Sequence, residues 1–129
     1  MRDTYHGFKA VTALAAAVLS ANANGVAVDL KGYDSALFIV GTGAIEAAGD
    51  FTVKLQESDT GTSGWADVGE ADLLDGVPDK LEADSAYRIG YIGSKRKRYV
   101  RAVAVKGGGT SIVLSVVALL GHPAIAPVA

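Results

Sequence analysis

Lys95-Arg96-Lys97-Arg98, with Arg101 three residues on, is the densest group of chemistry-bearing side chains in the sequence. Cations so closely spaced can neutralise several phosphates, and Tyr91 and Tyr99 beside them can stack on bases. They can equally form the solvated tip of a turn, or a salt-dependent contact with another protein. Two features argue against nucleic acid. The chain carries a net charge of −2, whereas nucleic-acid binders are commonly basic. Ile92-Gly93-Ser94 and Tyr99-Val100-Arg101 also bracket the run as the arms of a hairpin would, with Gly and Ser supplying ordinary turn chemistry. The run is therefore read as a hairpin tip, with Lys95, Arg96, Lys97, Arg98 and Arg101 as a candidate protein contact.

The acids are segregated from the bases. Residues 46–84 hold eleven of the fourteen acids, and residues 88–106 hold seven of the twelve bases. Such a bipolar chain can steer association with copies of itself or with a partner of mixed charge, unless the two segments neutralise each other on one fold. Glu57–Gly61 and Glu70–Asp75 gather oxygen ligands, but neither matches the spacing of a calcium-binding EF-hand loop. His6 and His122 lie in the two terminal segments without the further ligands that a metal site needs. Cysteine is absent, which removes disulfides, thiolate metal sites and a cysteine nucleophile. Gly41-Thr42-Gly43 is neither a nucleophile elbow nor a phosphate loop, and its glycines suit a bend or bulge. These readings point away from an enzyme and call for no cofactor and no metal. Trp65 with Tyr87 and Tyr91 is a candidate glycan or surface platform, set against Trp65 as partly buried packing.

These residues must be positioned by strands. At 129 residues the chain fits one domain, burying roughly two thirds of the surface that its unfolded form exposes. Half the residues are apolar, Ala and Val outnumber aromatics, and sixteen are Gly, a composition for short strands and tight turns. Val26–Leu30 alternates in and out. Ser35–Ile45 is apolar on both faces, as in the middle of a packed sheet. Phe51, Val53 and Leu55 face one way while Thr52, Lys54 and Gln56 face the other. Ser58–Gly64 reads as a flexible hairpin loop, with Trp65–Gly69 returning from it. Pro78 makes Glu70–Asp84 a loop with a short edge strand at most. Tyr87–Tyr91 and Val100–Val105 alternate again, and Lys106–Gly109 breaks the second of these. Ile112, Leu114, Val116, Ala118 and Leu120 line one face of a long final strand whose other face is also apolar.

Seven or eight strands at spacings of roughly 8 to 15 residues indicate an all-β chain, an antiparallel, jelly-roll-like β-sandwich. Residues 25–121 form this domain. Residues 1–24 are an N-terminal arm or first strand, and residues 122–129 an extended tail without a partner. Val11–Leu19 imitates a secretory signal, with Ala21-Asn22-Ala23 after it. The run is short for that purpose, and well below the roughly 20 apolar residues that span a bilayer, so no membrane partner is expected.

Four stretches together, "VDLKGYDSALFIVGTGAI", "DFTVKLQESDTGTSGWADV", "YRIGYIGSKRKRYVRAVAV" and "LGHPAIAPV", resemble small capsid-associated virion proteins of tailed bacteriophages and gene transfer agents. The resemblance covers residues 9–128. Its most specific pieces are Gly32-Tyr33-Asp34-Ser35, Leu55-Gln56-Glu57-Ser58-Asp59 and Tyr91-Ile92-Gly93 ahead of Arg98-Tyr99-Val100-Arg101. Lys95, Arg96 and Lys97 make the loop longer and more basic than in that pattern. The resemblance implies a decoration, cement or head-spike-base protein located in the virion head and made in the host cytoplasm. It also implies a homo-oligomer, trimer or pentamer, that binds the major capsid protein or other virion proteins. His122, Pro123 and Ile125 join the basic run as candidate contacts on the terminal arms. The alternatives are a head–tail joining or tail protein, and a carbohydrate-binding sandwich centred on Trp65.

Overall fold

Alternating burial along the chain builds two antiparallel sheets packed face to face. The computed structural model describes residues 8–31, 33–69, 72–74, 80–91 and 97–123, leaving aside the side chains of Asp34, His122 and Pro123. Ten strands follow in order: β1 (Phe8–Leu19), β2 (Ala23–Asn24), β3 (Val28–Asp29), β4 (Tyr33–Glu46), β5 (Asp50–Ser58), β6 (Ala66–Asp67), β7 (Leu73–Leu74), β8 (Ala86–Tyr91), β9 (Tyr99–Gly108) and β10 (Ser111–Pro123). The first sheet runs β1-β10-β4-β8-β7. The second runs β2-β9-β5-β6, with β3 also paired to β9.

β2 and β3 act as one interrupted strand along β9, and β7 is a two-residue addition beyond β8. The eight strands that remain are ordered first-eighth-third-sixth and second-seventh-fourth-fifth, the order of a jelly roll. The all-β sandwich expected from the strand spacing is the fold observed.

The core is the space between the sheets. From the first sheet, Phe38 and Val40 on β4, Ile89 on β8 and Ile112, Leu114 and Val116 on β10 point inward with no exposure. Phe51 and Val53 on β5, Val100, Ala102 and Ala104 on β9 and Leu55 meet them from the second sheet. Each set is one face of a period-2 pattern. Gly25 sits where the open sides of the sheets approach: its N–H donates to the Ala102 carbonyl at 2.6 Å, and Val26 N–H donates to the Ala13 carbonyl at 2.8 Å. A Cβ on Gly25 would stand 2.4 Å from the Ala13 oxygen, so no other residue fits between the two strands.

The structure corrects four expectations. β8 and β9 are not the two arms of one hairpin, because β8 belongs to the first sheet and β9 to the second; Lys97 and Arg98 stand where the chain enters β9. Two alternating strands around a polar turn look identical in sequence whether they pair with each other or with different neighbours. Lys106–Gly109 does not break its strand, since β9 continues to Gly108 and Asp50 pairs with Gly108 across a register shift. The start of the tail is not partnerless: β10 runs on to Pro123, which pairs with Tyr33. The loop at 58–64 is stapled. Ser58 Oγ accepts from the N–H groups of Thr60 and Gly61, both at 3.2 Å, and Thr60 Oγ1 accepts from Ser63 N–H at 3.2 Å.

The residues 8–19 within the expected arm form a full strand along β10, and the anticipated bulge at Gly41–Ile45 is present. Ile45 pairs with Ile112 but Thr42 with Leu114, so Gly43 and Ala44 on β4 together oppose Val113. At the β4–β5 turn, Ala47 and Ala48 adopt φ of 47° and 58°, left-handed values that strain a residue with a Cβ.

Two stability changes follow. Phe38→Ala, which empties a fully buried site, lowers the unfolding free energy in urea titrations by about 3–5 kcal/mol. Ala48→Gly raises it by up to about 1 kcal/mol; an unchanged or lower value would show that the turn is not strained at that residue.

Candidate functional site

The end of the crossing from β8 to β9 is pinned by ion pairs to the strands beside β9 in the second sheet and by one bond between the sheets. Arg98 grips Asp29 with both arms of its fork, Nε to Oδ1 at 2.9 Å and Nη2 to Oδ2 at 2.8 Å. The backbone supports this grip: Leu30 N–H donates to the Arg98 carbonyl at 2.8 Å, and Lys31 N–H donates to Asp29 Oδ1 at 3.0 Å. Lys97 Nζ pairs with Asp59 Oδ2 at 3.0 Å. Lys97 N–H also donates to the Tyr91 hydroxyl, which donates in turn to Glu57 Oε1 on the opposite sheet at 2.8 Å. Lys97 and Arg98 are thus committed within the chain, and holding a phosphate requires each to release a carboxylate. Lys95 and Arg96 lie outside the described residues.

Arg101 points to the outer face of the second sheet. Its Nε and Nη2 donate to Gln56 Oε1 at 3.0 and 2.7 Å, and its guanidinium lies 4.3 Å from the Trp65 ring centroid. Gln56 Nε2 and Lys54 Nζ both donate to Asp67, whose carboxyl is held below its ordinary value, by Gln56 first and then by Lys54. A polar, charge-paired network therefore covers this face. Part of the acidic segment does neutralise bases of the same fold, through Asp59–Lys97 and Asp67–Lys54. Arg98 instead uses Asp29, outside that segment.

Trp65, Tyr87 and Tyr91 do not form a platform. Trp65 lies with Arg101 on the outer face of the second sheet, whereas Tyr87 and Tyr91 alternate with Arg88 on the inward side of β8, in the first sheet. Tyr91 is a buried core residue, and the Tyr87 hydroxyl accepts the Glu82 N–H at 2.9 Å. Alternation reveals that two tyrosines share a face but not that the face is the interior. His122 and Pro123 extend β10, and Ile125 lies outside the described residues.

The feature that residue chemistry did not single out is the outer face of the first sheet. Its cross-strand rows are read directly from the register. One row runs Ala10, Leu119, Leu37, Gly90 and Leu74, and the next runs Thr12, Val117, Ile39 and Arg88. Phe8, Val18, Leu74 and Val117 are exposed, and Leu37, Ile39, Val113 and Leu119 are partly so. Arg88 is the one charge in these rows. The two-faced apolarity of Ser35–Ile45 and of β10 was its sequence signal. Such a pattern predicts covering, and nothing among the described residues covers it.

A scan against protein-family models finds none that matches this chain, and no curated protein matches it either.

The Asp29–Arg98 clasp is testable by pH. The Arg98 hydrogen bonds, aided by Lys31 N–H and opposed by burial, lower the Asp29 carboxyl from 3.8 to about 2. A depressed folded pKa stabilises fully above the unfolded value and is lost as pH falls through the folded one. Asp29→Asn should melt below wild type at pH 6, with the gap closing as pH falls from about 4 toward 2. A gap that stays constant across thermal melts in that range would mean that the clasp contributes nothing ionic.

Proposed function

We propose that this protein is a non-enzymatic structural component of a tailed-phage head, a decoration, cement or head-spike-base protein docked on the capsid shell. The observation that carries this reading is the uncovered apolar face of the first sheet. Exposed apolar surface several strands wide marks an interaction site, and here it lies on an outer sheet face suited to building an assembly. The jelly-roll order agrees, since capsid proteins use this fold, although lectins and cupins share it and the fold alone assigns no role. The sequence resemblance described above points the same way. The chemistry nearest a site, at residues 97–101, consists of cations paired with carboxylates and an amide, an arrangement that holds loops rather than turns over substrate.

Docking many copies on a repeating shell multiplies a modest single-site affinity, and in this reading Lys95 and Arg96 are the cations offered to the shell. Purified protein should pellet with heads assembled from the major capsid protein of the same phage. Replacing Lys95 and Arg96 together by Ser, which keeps the Lys97–Asp59 pair, should leave melting unchanged, weaken pelleting at low salt, and remove the decline that wild type shows as salt rises. Protein that stays in the supernatant at every salt concentration would refute head docking, and isolated rings in negative stain would support a head–tail joining role instead.

A further inference from the structure

We infer that the outer face of the first sheet is the contact between two copies of this chain, packed face to face. This deepens the reading of an assembly protein by naming the occupant of its apolar face. Four strands about 4.8 Å apart, over nine residues of β10 at about 3.3 Å each, give a face of about 500 Å². Two such faces together bury about 1,000 Å², the lower bound for a specific protein interface.

The chemistry selects a second copy. The apolar rows need an apolar counterpart, and the other sheet's outer face carries Lys54, Gln56, Asp67 and Arg101 in hydrogen-bonded pairs. Among the described residues, only the same face of another molecule matches. Arg88 limits the geometry further. It ends a row whose other end is Thr12, with Ile39 and Val117 between them. A two-fold axis along the strands, between β4 and β10, carries β8 of one copy over β1 of the other. Arg88 then meets the hydroxyl of Thr12 rather than another Arg88. Ile39 meets Val117 and Leu37 meets Leu119, so every apolar residue at the centre faces an apolar residue. A contact of this kind is isologous and closes at two copies.

The test needs only the purified full-length chain without shells, so its failure is separable from failure of head docking. Sedimentation velocity from about 1 to 200 μM should show a dimer. Val117→Glu, at a site 37% exposed, should keep the wild-type circular dichroism and weaken dimerisation at least tenfold, whereas Lys54→Glu should leave it unchanged. Should Val117→Glu fold poorly, Val18→Lys at the more exposed margin replaces it. The chain has no cysteine, so a single Val117→Cys variant provides a clean second readout: a short bismaleimide should link it into dimers, and should leave Thr52→Cys on the opposite sheet monomeric. A wild type that is monomeric throughout, or a dimer that is indifferent to Val117→Glu and whose Val117→Cys variant is not linked, overturns the proposal. So does a monomer whose pelleting with heads is abolished by Val117→Glu, which would assign the face to a capsid protein.

Discussion

The first sheet depends on its last strand. β10 lies between β1 and β4 and is the pairing partner of both along nearly their full lengths, so without it β1 has no partner in the sheet and β4 lacks one of its two neighbours. A central position demands apolar residues on both faces. Ile112, Leu114, Val116, Ala118 and Leu120 serve the core, while Val113, Val117 and Leu119 face outward. The outward set cannot easily be polar without weakening a strand whose neighbours on that face are Leu37 and Ile39. The requirement that closes the fold therefore also leaves an apolar outer surface that no described residue covers.

The second constraint is the crossing between sheets. A jelly roll passes repeatedly from one sheet to the other, and each passage exposes backbone that no ladder satisfies. Here Gly25 and Val26 join Ala102 of the second sheet to Ala13 of the first, and Arg98 with Lys97 fastens the end of the β8–β9 passage to Asp29 and Asp59. The C-terminal half of the charge run, Lys97 and Arg98, holds the end of the passage in place, and Lys95 and Arg96 lie outside the described residues.

Much of the fold was legible in the sequence because burial has a period. The shared faces of β5, β8 and β10 were legible from alternation, although not that the β8 face is interior, and the glycine-marked bulge in β4 was legible from Gly41 and Gly43. Pairing was not legible. Tyr87–Tyr91 and Tyr99–Val105 looked like the arms of one hairpin, yet they belong to different sheets. Alternation encodes which face is wet and carries no information on which strand lies alongside. Trp65 and Tyr91 illustrate the same limit for sites: both are aromatic and near the basic run, but one faces outward beside Arg101 and the other reaches Glu57 through the core.

The sequence by itself determined that the chain is all-β, that it lacks thiol chemistry, and where its strands and charge segments fall, because these follow from residue type and local spacing. Only the tertiary structure decided that the final strand sits at the centre of a sheet, that Arg98 belongs to Asp29, and that Leu37, Ile39, Val117 and Leu119 share one uncovered face. Those facts join residues tens of positions apart, and such neighbours are set by the simultaneous burial of two sheets rather than by any local preference.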